Sequence, residues 1–340
     1  MTRTLADDSQ GLARPNPPPG PLLEVRDLSV EYLLERAVIG AVDHVSLDVA
    51  AGEFLAIVGE SGCGKSTLLF AVAQLLFPPA AITGGTVTFR GRNLVGLTEG
   101  EMSAVRWKDM SVVMQSAMNA LNPVLTVGAQ FRDVMRAHGA VGKQEIAQRS
   151  EEVMRMVGID PVHLKSYPHQ LSGGMRQRAM IAMAMLFTPE LVIMDEPTSA
   201  LDVVAQRSLM AQIKDLQQRF GFAVIFVTHD MSLVSHFSDR LMVMYAGQVS
   251  EVGPTRRLFD APKHPYTAGL MDAFPSIRGP RVPLAGIPGS PPDLARPPEG
   301  CRFAARCPKV MERCKASDPP AYQVEGVDVR CFLYEAGGPR

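Results

Sequence analysis

Gly59-Glu60-Ser61-Gly62-Cys63-Gly64-Lys65-Ser66-Thr67 sets the terms for the rest of the chain. An apolar run, Phe54 to Val58, leads into it, and an apolar segment, 68–76, follows. Strand, glycine-rich turn and helix in that order are the context that G-x-x-x-x-G-K-[ST] requires. Such a turn points successive backbone N–H groups inward and ends at a helix N-terminus, so it cradles a di- or triphosphate. Gly59, Glu60, Ser61, Gly62, Cys63, Gly64, Lys65, Ser66 and Thr67 are therefore expected to hold the phosphates, with Lys65 on the terminal ones and the Ser66 hydroxyl on Mg²⁺.

The 340 residues exceed the usual single core, which favours one large domain plus an appendage. Lysine plus arginine (34) nearly balance aspartate plus glutamate (35), so no global basic field argues for a nucleic-acid partner. No apolar run reaches membrane-spanning length. Residues 1–21 are polar and then proline-rich, without the apolar stretch of a secretory signal, and read as a flexible tail on a cytosolic protein. Four of the five cysteines lie beyond residue 300, a clustering that in a cytosolic chain favours metal over disulfides.

Alternating apolar and polar residues predict half-buried strands at 22–33 and 41–49, and a further short strand is expected at 85–91. Tyr32, on the first, is placed either to stack on an adenine or simply to pack. A helix is expected at 98–108 and an apolar strand at 110–114, ending at Gln115. From 116 to 188 the pattern is mostly helical. Within it Leu171-Ser172-Gly173-Gly174-Met175-Arg176-Gln177-Arg178 opens a helix, with Ser172 as N-cap and two glycines leaving donors bare for an anion. Leu191-Val192-Ile193-Met194 is apolar on both faces, as a strand inside a parallel sheet must be. It runs into Asp195-Glu196, two acids at the carboxyl end where such sheets bind ligands. A second strand of this kind, Ala223 to Val227, ends at Thr228-His229-Asp230, and 240–252 reads as a strand pair turning at Ala246-Gly247.

The order of these features is more specific than any one of them. A phosphate loop, Gln115, Leu171-Ser172-Gly173-Gly174, Asp195-Glu196, Ser199-Ala200-Leu201-Asp202 and His229 follow one another, and over about 22–252 the chain resembles the ATP-binding cassette (ABC) ATPases. The resemblance implies an α/β fold with a mixed sheet core, an antiparallel β subdomain and a helical signature subdomain. It also implies ATP and Mg²⁺ as ligands. Ser66 and Asp195 would hold Mg²⁺, with Gln115 a further ligand; Glu196 would polarise the attacking water; and His229 would bridge the γ-phosphate and the loop Ser199-Ala200-Leu201-Asp202. Ser172, Gly173 and Gly174 would serve the nucleotide of a second cassette packed head to tail.

Lys263-His264-Pro265-Tyr266-Thr267 narrows the resemblance to the oligopeptide/dipeptide branch of bacterial importers, and Leu121-Asn122-Pro123-Val124-Leu125-Thr126 and Tyr167-Pro168-His169-Gln170 agree with it. At Gln170 the chain departs from the glutamate common in the family. His264 itself is either a ligand or a structural residue at a helix start. The branch implies two membrane permeases, a second cassette of the same or a paralogous kind, an extracytoplasmic binding protein, and a place at the cytoplasmic face of the membrane. A soluble ABC ATPase of translation or DNA repair, an exporter motor, or an importer of nickel, glutathione or haem are the competing readings.

Residues 22–253 are thus expected to form the cassette, with its helical subdomain at about 116–188. Residues 254–300 carry the His-Pro-Tyr element and a proline- and glycine-rich connector, and 301–340 form a small cysteine-rich extension. Cys301, Cys307, Cys314 and Cys331 can hold zinc or an iron–sulfur cluster by their chemistry. Their spacing does not choose between these, or between them and free thiols or disulfides; the family resemblance implies a [4Fe–4S] cluster. Cys63 needs only to be small.

Overall fold

The computed structural model describes residues 20–115, 120–139, 142–199, 201–273 and 286–335. The expected tail up to residue 19, Ser116 at the start of the helical segment, Ala200, and the connector's Pro275, Gly279, Pro280 and Pro283 lie outside them.

Two sheets carry the chain. Strands β1 (Leu23–Leu34) and β2 (Ala37–Val49) pair antiparallel ahead of the apolar strand β3 (Phe54–Val58). The loop at 59–64 delivers helix α1 (Lys65–Val72). Strands β4 (Ala80–Phe89) and β5 (Arg92–Asn93) then return to β1, giving a four-stranded sheet ordered β2-β1-β4-β5. Helix α2 (Glu99–Val105) starts at a capping box in which Thr98 and Glu101 satisfy each other's backbone N–H groups. It leads to β6 (Met110–Val113).

Among its described residues the helical segment holds α3 (Val127–His138), α4 (Lys143–Met156), two 3₁₀ turns and α5 (Gly173–Ala184). After it come β7 (Leu191–Asp195), α6 (Val203–Phe220), β8 (Ala223–Val227), α7 (Met231–Phe237), β9 (Arg240–Tyr245) and β10 (Gln248–Pro254). β9, β3, β8, β7 and β6 are neighbours and run parallel. β10 extends the sheet antiparallel through a tight turn whose two residues, Ala246 (φ 49°) and Gly247 (φ 87°), are both left-handed.

Side-chain alternation in the central strands divides the interior into two cores. Phe54, Ala56 and Val58 of β3, Val192 and Met194 of β7, and Val224 and Phe226 of β8 face the core shared with the helical segment. Leu55 and Ile57, Leu191 and Ile193, and Ala223, Ile225 and Val227 face the core shared with α1 and the four-stranded sheet. All fifteen residues of these three strands are buried. At about 1.5–3 kcal/mol for each large side chain removed from water, this fixes the register that carries the loops at their carboxyl ends.

The C-terminal part is tied into this frame. Helices α8 (Thr255–Asp260) and α9 (Pro265–Asp272) follow β10, and α10 (Glu312–Ala316) precedes a hairpin of β11 (Tyr322–Val324) and β12 (Val327–Val329). β12 pairs with β10 at Glu251–Val329 and Val252–Asp328, so the hairpin is the edge of the main sheet. Phe303 lies in the larger core, edge-on to Tyr245. His264 is the N-cap of α9: its buried Nδ1 accepts the Tyr266 N–H at 3.0 Å, the structural role rather than a ligand's.

Candidate active site

The loop after β3 owes its shape to two glycines. Gly59 (φ 153°) and Gly64 (φ 99°) both adopt conformations that side chains disfavour. A Cβ at Gly59 would run into the Met244 carbonyl, and one at Gly64 into the Ala41 carbonyl, so the loop lies directly on β9 and β2. Gly64 caps α1 without a side-chain hydrogen bond, which leaves the first N–H groups of the helix for an anion. The Lys65 ammonium lies across the loop and donates to the carbonyls of Gly59 and Glu60, each at 2.8 Å.

This loop forms one wall of a cavity that Tyr32, Gly59, Ser61, Gly62, Gly64, Lys65, Ser66, Thr67, Gln115, Glu196 and His229 all line. Ile39, Ala41 and Leu294 complete it. The Tyr32 hydroxyl is 3.1 Å from the Thr67 hydroxyl, which fixes the ring at the cavity wall. Glu196 follows the last residue of β7 with φ 44°, a left-handed conformation costing about 1–3 kcal/mol in a residue other than glycine. Its carboxylate accepts from Gln115 Nε2 at 3.0 Å and stands 3.4 Å from His229 Nδ1. Three residues from three loops thus meet at one carboxylate.

Asp195 ends β7 beneath them and is 2% exposed. Its Oδ1 is buried without a hydrogen-bond partner. Burial pushes its pKa up and the charge of Glu196 adds to that, while the neighbouring Ser66 hydroxyl and Lys65 ammonium pull it down. An orphaned carboxylate oxygen beside a hydroxyl is a donor set that suits a hard divalent cation. The residues present therefore fit Mg²⁺.

Other expected site residues are placed elsewhere. Cys63 is buried against Gly59, and Glu60 turns its carboxylate away from the cavity to Arg306. Ser172 caps α5 by accepting the Met175 N–H, and Asp202 caps α6 by accepting the Ala205 N–H. Neither they nor Gly173 and Gly174 line the phosphate-loop cavity, and a Cβ added at Gly174 would meet open space.

Cys301, Cys307, Cys314 and Cys331 line one cavity together with His264, Phe303 and Phe332. Burial pushes the Cys301 thiol up to about 12 and the Cys331 thiol up to about 11, and neighbouring cysteines add to both. Among the described residues, however, no three His, Cys, Asp or Glu side chains stand in a metal-holding arrangement, so the expected preformed cluster site is not met. The donor types fit a thiophilic ion; their spacing here does not.

Leu294 and Arg306 have no signature in the sequence. A leucine in a proline-rich connector and an arginine between cysteines carry no local signal of contact with a loop more than two hundred residues away.

Comparison with known proteins agrees with this geometry. Residues 42–199 match the family model described as ABC transporter, and residues 250–314 match that described as oligopeptide/dipeptide transporter, C-terminal region. The dipeptide transport ATP-binding protein DppD of Caldanaerobacter subterraneus is 40% identical over 94% of this chain and 98% of its own. A probable peptide ABC transporter ATP-binding protein of Sinorhizobium fredii is 44% identical over 91% and 94%, and the oligopeptide transport ATP-binding protein OppD of Salmonella typhimurium is 42% identical over 89% and 90%. Among solved structures, the dimeric post-hydrolysis state of the cassette MJ0796 with ADP and Pi superposes with a TM-score of 0.61 and 29% identity, over 69% of this chain and 99% of that one. A cassette of the cbiONQ transporter from Clostridium perfringens gives 0.61 and 25%, over 71% and 92%. The chain belongs to the ATP-hydrolysing subunits of the ABC transporters, in their oligopeptide/dipeptide branch.

Proposed function

We propose that this chain is the motor of a peptide importer, coupling ATP-driven closure of a cassette pair to movement of a dipeptide or oligopeptide through partner permeases. One observation carries the reading. The phosphate loop, Gln115, Glu196 and His229 converge on one cavity, while Ser172, Gly173, Gly174 and Asp202 lie outside it. This separation supports a chain that supplies half of its own nucleotide site and offers Ser172, Gly173 and Gly174 to a partner's, as a head-to-tail pair requires. The second cassette is either a copy of this chain or a paralogue. Two multispanning permeases and an extracytoplasmic binding protein complete the assembly. No helix among the described residues is long and apolar enough to cross a membrane; a peripheral place at the cytoplasmic face is part of the importer reading itself.

The residues divide the chemistry among them. The N–H groups of the loop and of the start of α1 hold the phosphates, and Lys65 exchanges its loop carbonyls for phosphate oxygens. Ser66 and Asp195 would hold Mg²⁺, with Gln115 beside them; the ion would neutralise phosphate charge as the bond to the leaving group breaks. Glu196 accepts hydrogen bonds from Gln115 and His229 and is thereby aimed to polarise water. Tyr32 offers a ring to the adenine.

For the cysteine-rich extension we infer that the four thiols draw together on a [4Fe–4S] cluster, or on zinc, when the metal binds. Four thiols on one cavity, those of Cys314 and Cys331 buried and those of Cys301 and Cys307 half-buried, support it. Anaerobic purification followed by a visible spectrum tests it; a brown chromophore supports the cluster, a colourless protein containing zinc supports the alternative, and a metal-free protein of full activity would exclude both. The importer reading is tested by affinity purification from membranes. Two multispanning subunits in the eluate support it, whereas a soluble complex with nucleic acid would point to a translation or repair ATPase.

A further inference from the structure

The cysteine lobe grips the phosphate loop through one side chain. Arg306 sits in the lobe, beside Cys307, with its side chain 6% exposed. All five of its N–H donors are used. Nη1 donates to Glu60 Oε2 at 2.7 Å and to the Tyr245 hydroxyl at 3.2 Å. Nη2 donates to Glu60 Oε1 at 2.9 Å and to the Ile287 carbonyl at 3.2 Å, and Nε donates to the Pro288 carbonyl at 2.8 Å. This is a two-pronged carboxylate clamp in which no donor is spare, and a lysine, with three donors on a point charge, could not reproduce it.

The object of the clamp is the second residue of the phosphate loop. Glu60 is held at three points: its carboxylate by Arg306, its N–H by the buried Tyr266 hydroxyl at 2.9 Å, and its carbonyl by the Lys65 ammonium at 2.8 Å. Two of those three partners, Tyr266 and Arg306, come from beyond residue 260. A carboxylate in a loop that must receive an anionic phosphate chain opposes its own purpose unless its charge is matched. The clamp matches it and turns it out of the cavity.

We propose that Arg306 is a positioning residue for nucleotide binding: by neutralising and orienting Glu60, it lets the loop accept the phosphates. This rests on the assignment of residues 59–67 as the phosphate loop. Titration of the purified full chain with a fluorescent ATP analogue tests it. Arg306→Gln is expected to weaken binding by about three- to tenfold, the scale of a charged hydrogen-bonded pair. The loss is expected to shrink as salt is raised. Removing the stranded charge as well, in Arg306→Gln/Glu60→Gln, is expected to restore affinity to within about twofold of the unaltered chain, on the same scale. Arg306→Lys, which keeps charge but not the fork, is expected to lie between, and it serves should the glutamine variant fail to fold.

A merely structural arginine would give a single variant and a double variant equally weak, and that result overturns the proposal. Lys65→Ala separates the two levels. Undiminished ATP affinity in Lys65→Ala would overturn the loop assignment and this inference with it. Undiminished affinity in Arg306→Gln, beside a Lys65→Ala chain that has lost binding, would overturn this inference alone.

Discussion

Among the described residues two helix starts are rich in glycine, and they are finished differently. At α1 the N-cap is Gly64, no side chain covers the first N–H groups, and Gln115, Glu196 and His229 are gathered opposite. At α5 the N-cap is Ser172, which covers one N–H itself, and Gly174 faces open space. A bare helix end binds an anion weakly in water, because the donors lose little by staying solvated. It becomes a site when other groups close over it and exclude water. The first end has those groups in its own chain. The second, on the reading proposed above, finds its nucleotide on another chain.

That contrast can be broken most forcefully at the carboxylate. Glu196→Gln is expected to lower turnover by roughly 10²–10⁴-fold, the range for a general base, while ATP still binds and holds the cassette pair closed. Phosphate release and nucleotide retention, measured together, check it; normal hydrolysis would remove Glu196 from the role. Lys65→Ala is expected to reduce ATP affinity by on the order of a hundredfold, as loss of a charged group aimed at phosphate does. Equilibrium binding by the single chain reads it directly.

Ser172→Ala sharpens the comparison from the other side. ATP binding by the single chain is expected to stay within about twofold, while turnover by the assembled pair falls by roughly tenfold and the helix loses about 1 kcal/mol of capping. Equal losses in binding and turnover would place Ser172 in its own chain's site.

The smallest effect lies in the C-terminal part. Burial holds the His264 imidazole neutral, its pKa down at about 4 from 6.5. Between those values the unfolded chain binds the proton that the folded chain refuses, so stability is complete above pH 6.5 and falls as the pH drops toward 4. Unfolding free energies from denaturant titrations at pH 7.5 and 5.5 are expected to differ by about 1–2 kcal/mol more in the unaltered protein than in His264→Asn, which keeps the cap without the titration.

What could be read in the sequence was what is local. The phosphate loop, the all-apolar strands β3, β7 and β8, the turn at Ala246-Gly247 and the capped start of α5 each rest on neighbours within a few residues. Asp195 and Glu196 were legible because an acid pair at the end of a buried strand has few other uses. The contacts that cross the chain were not legible. Nothing in the periodicity of 322–329 says that β12 completes the main sheet. Nothing near Arg306 names Glu60 as its partner, because an ion pair 246 residues apart is chosen by packing and not by pattern. The four cysteines show the same limit in reverse: their clustering in sequence does bring them to one cavity, but not into a ligating arrangement.

The most direct test of the shared-site account is ATP turnover per chain as a function of concentration, with self-association followed on the same samples by light scattering. The account predicts turnover that rises as pairs form, or on addition of a second cassette, from a mass of 36.8 kDa that turns over little alone. Full, concentration-independent turnover by a chain that never leaves that mass would contradict it.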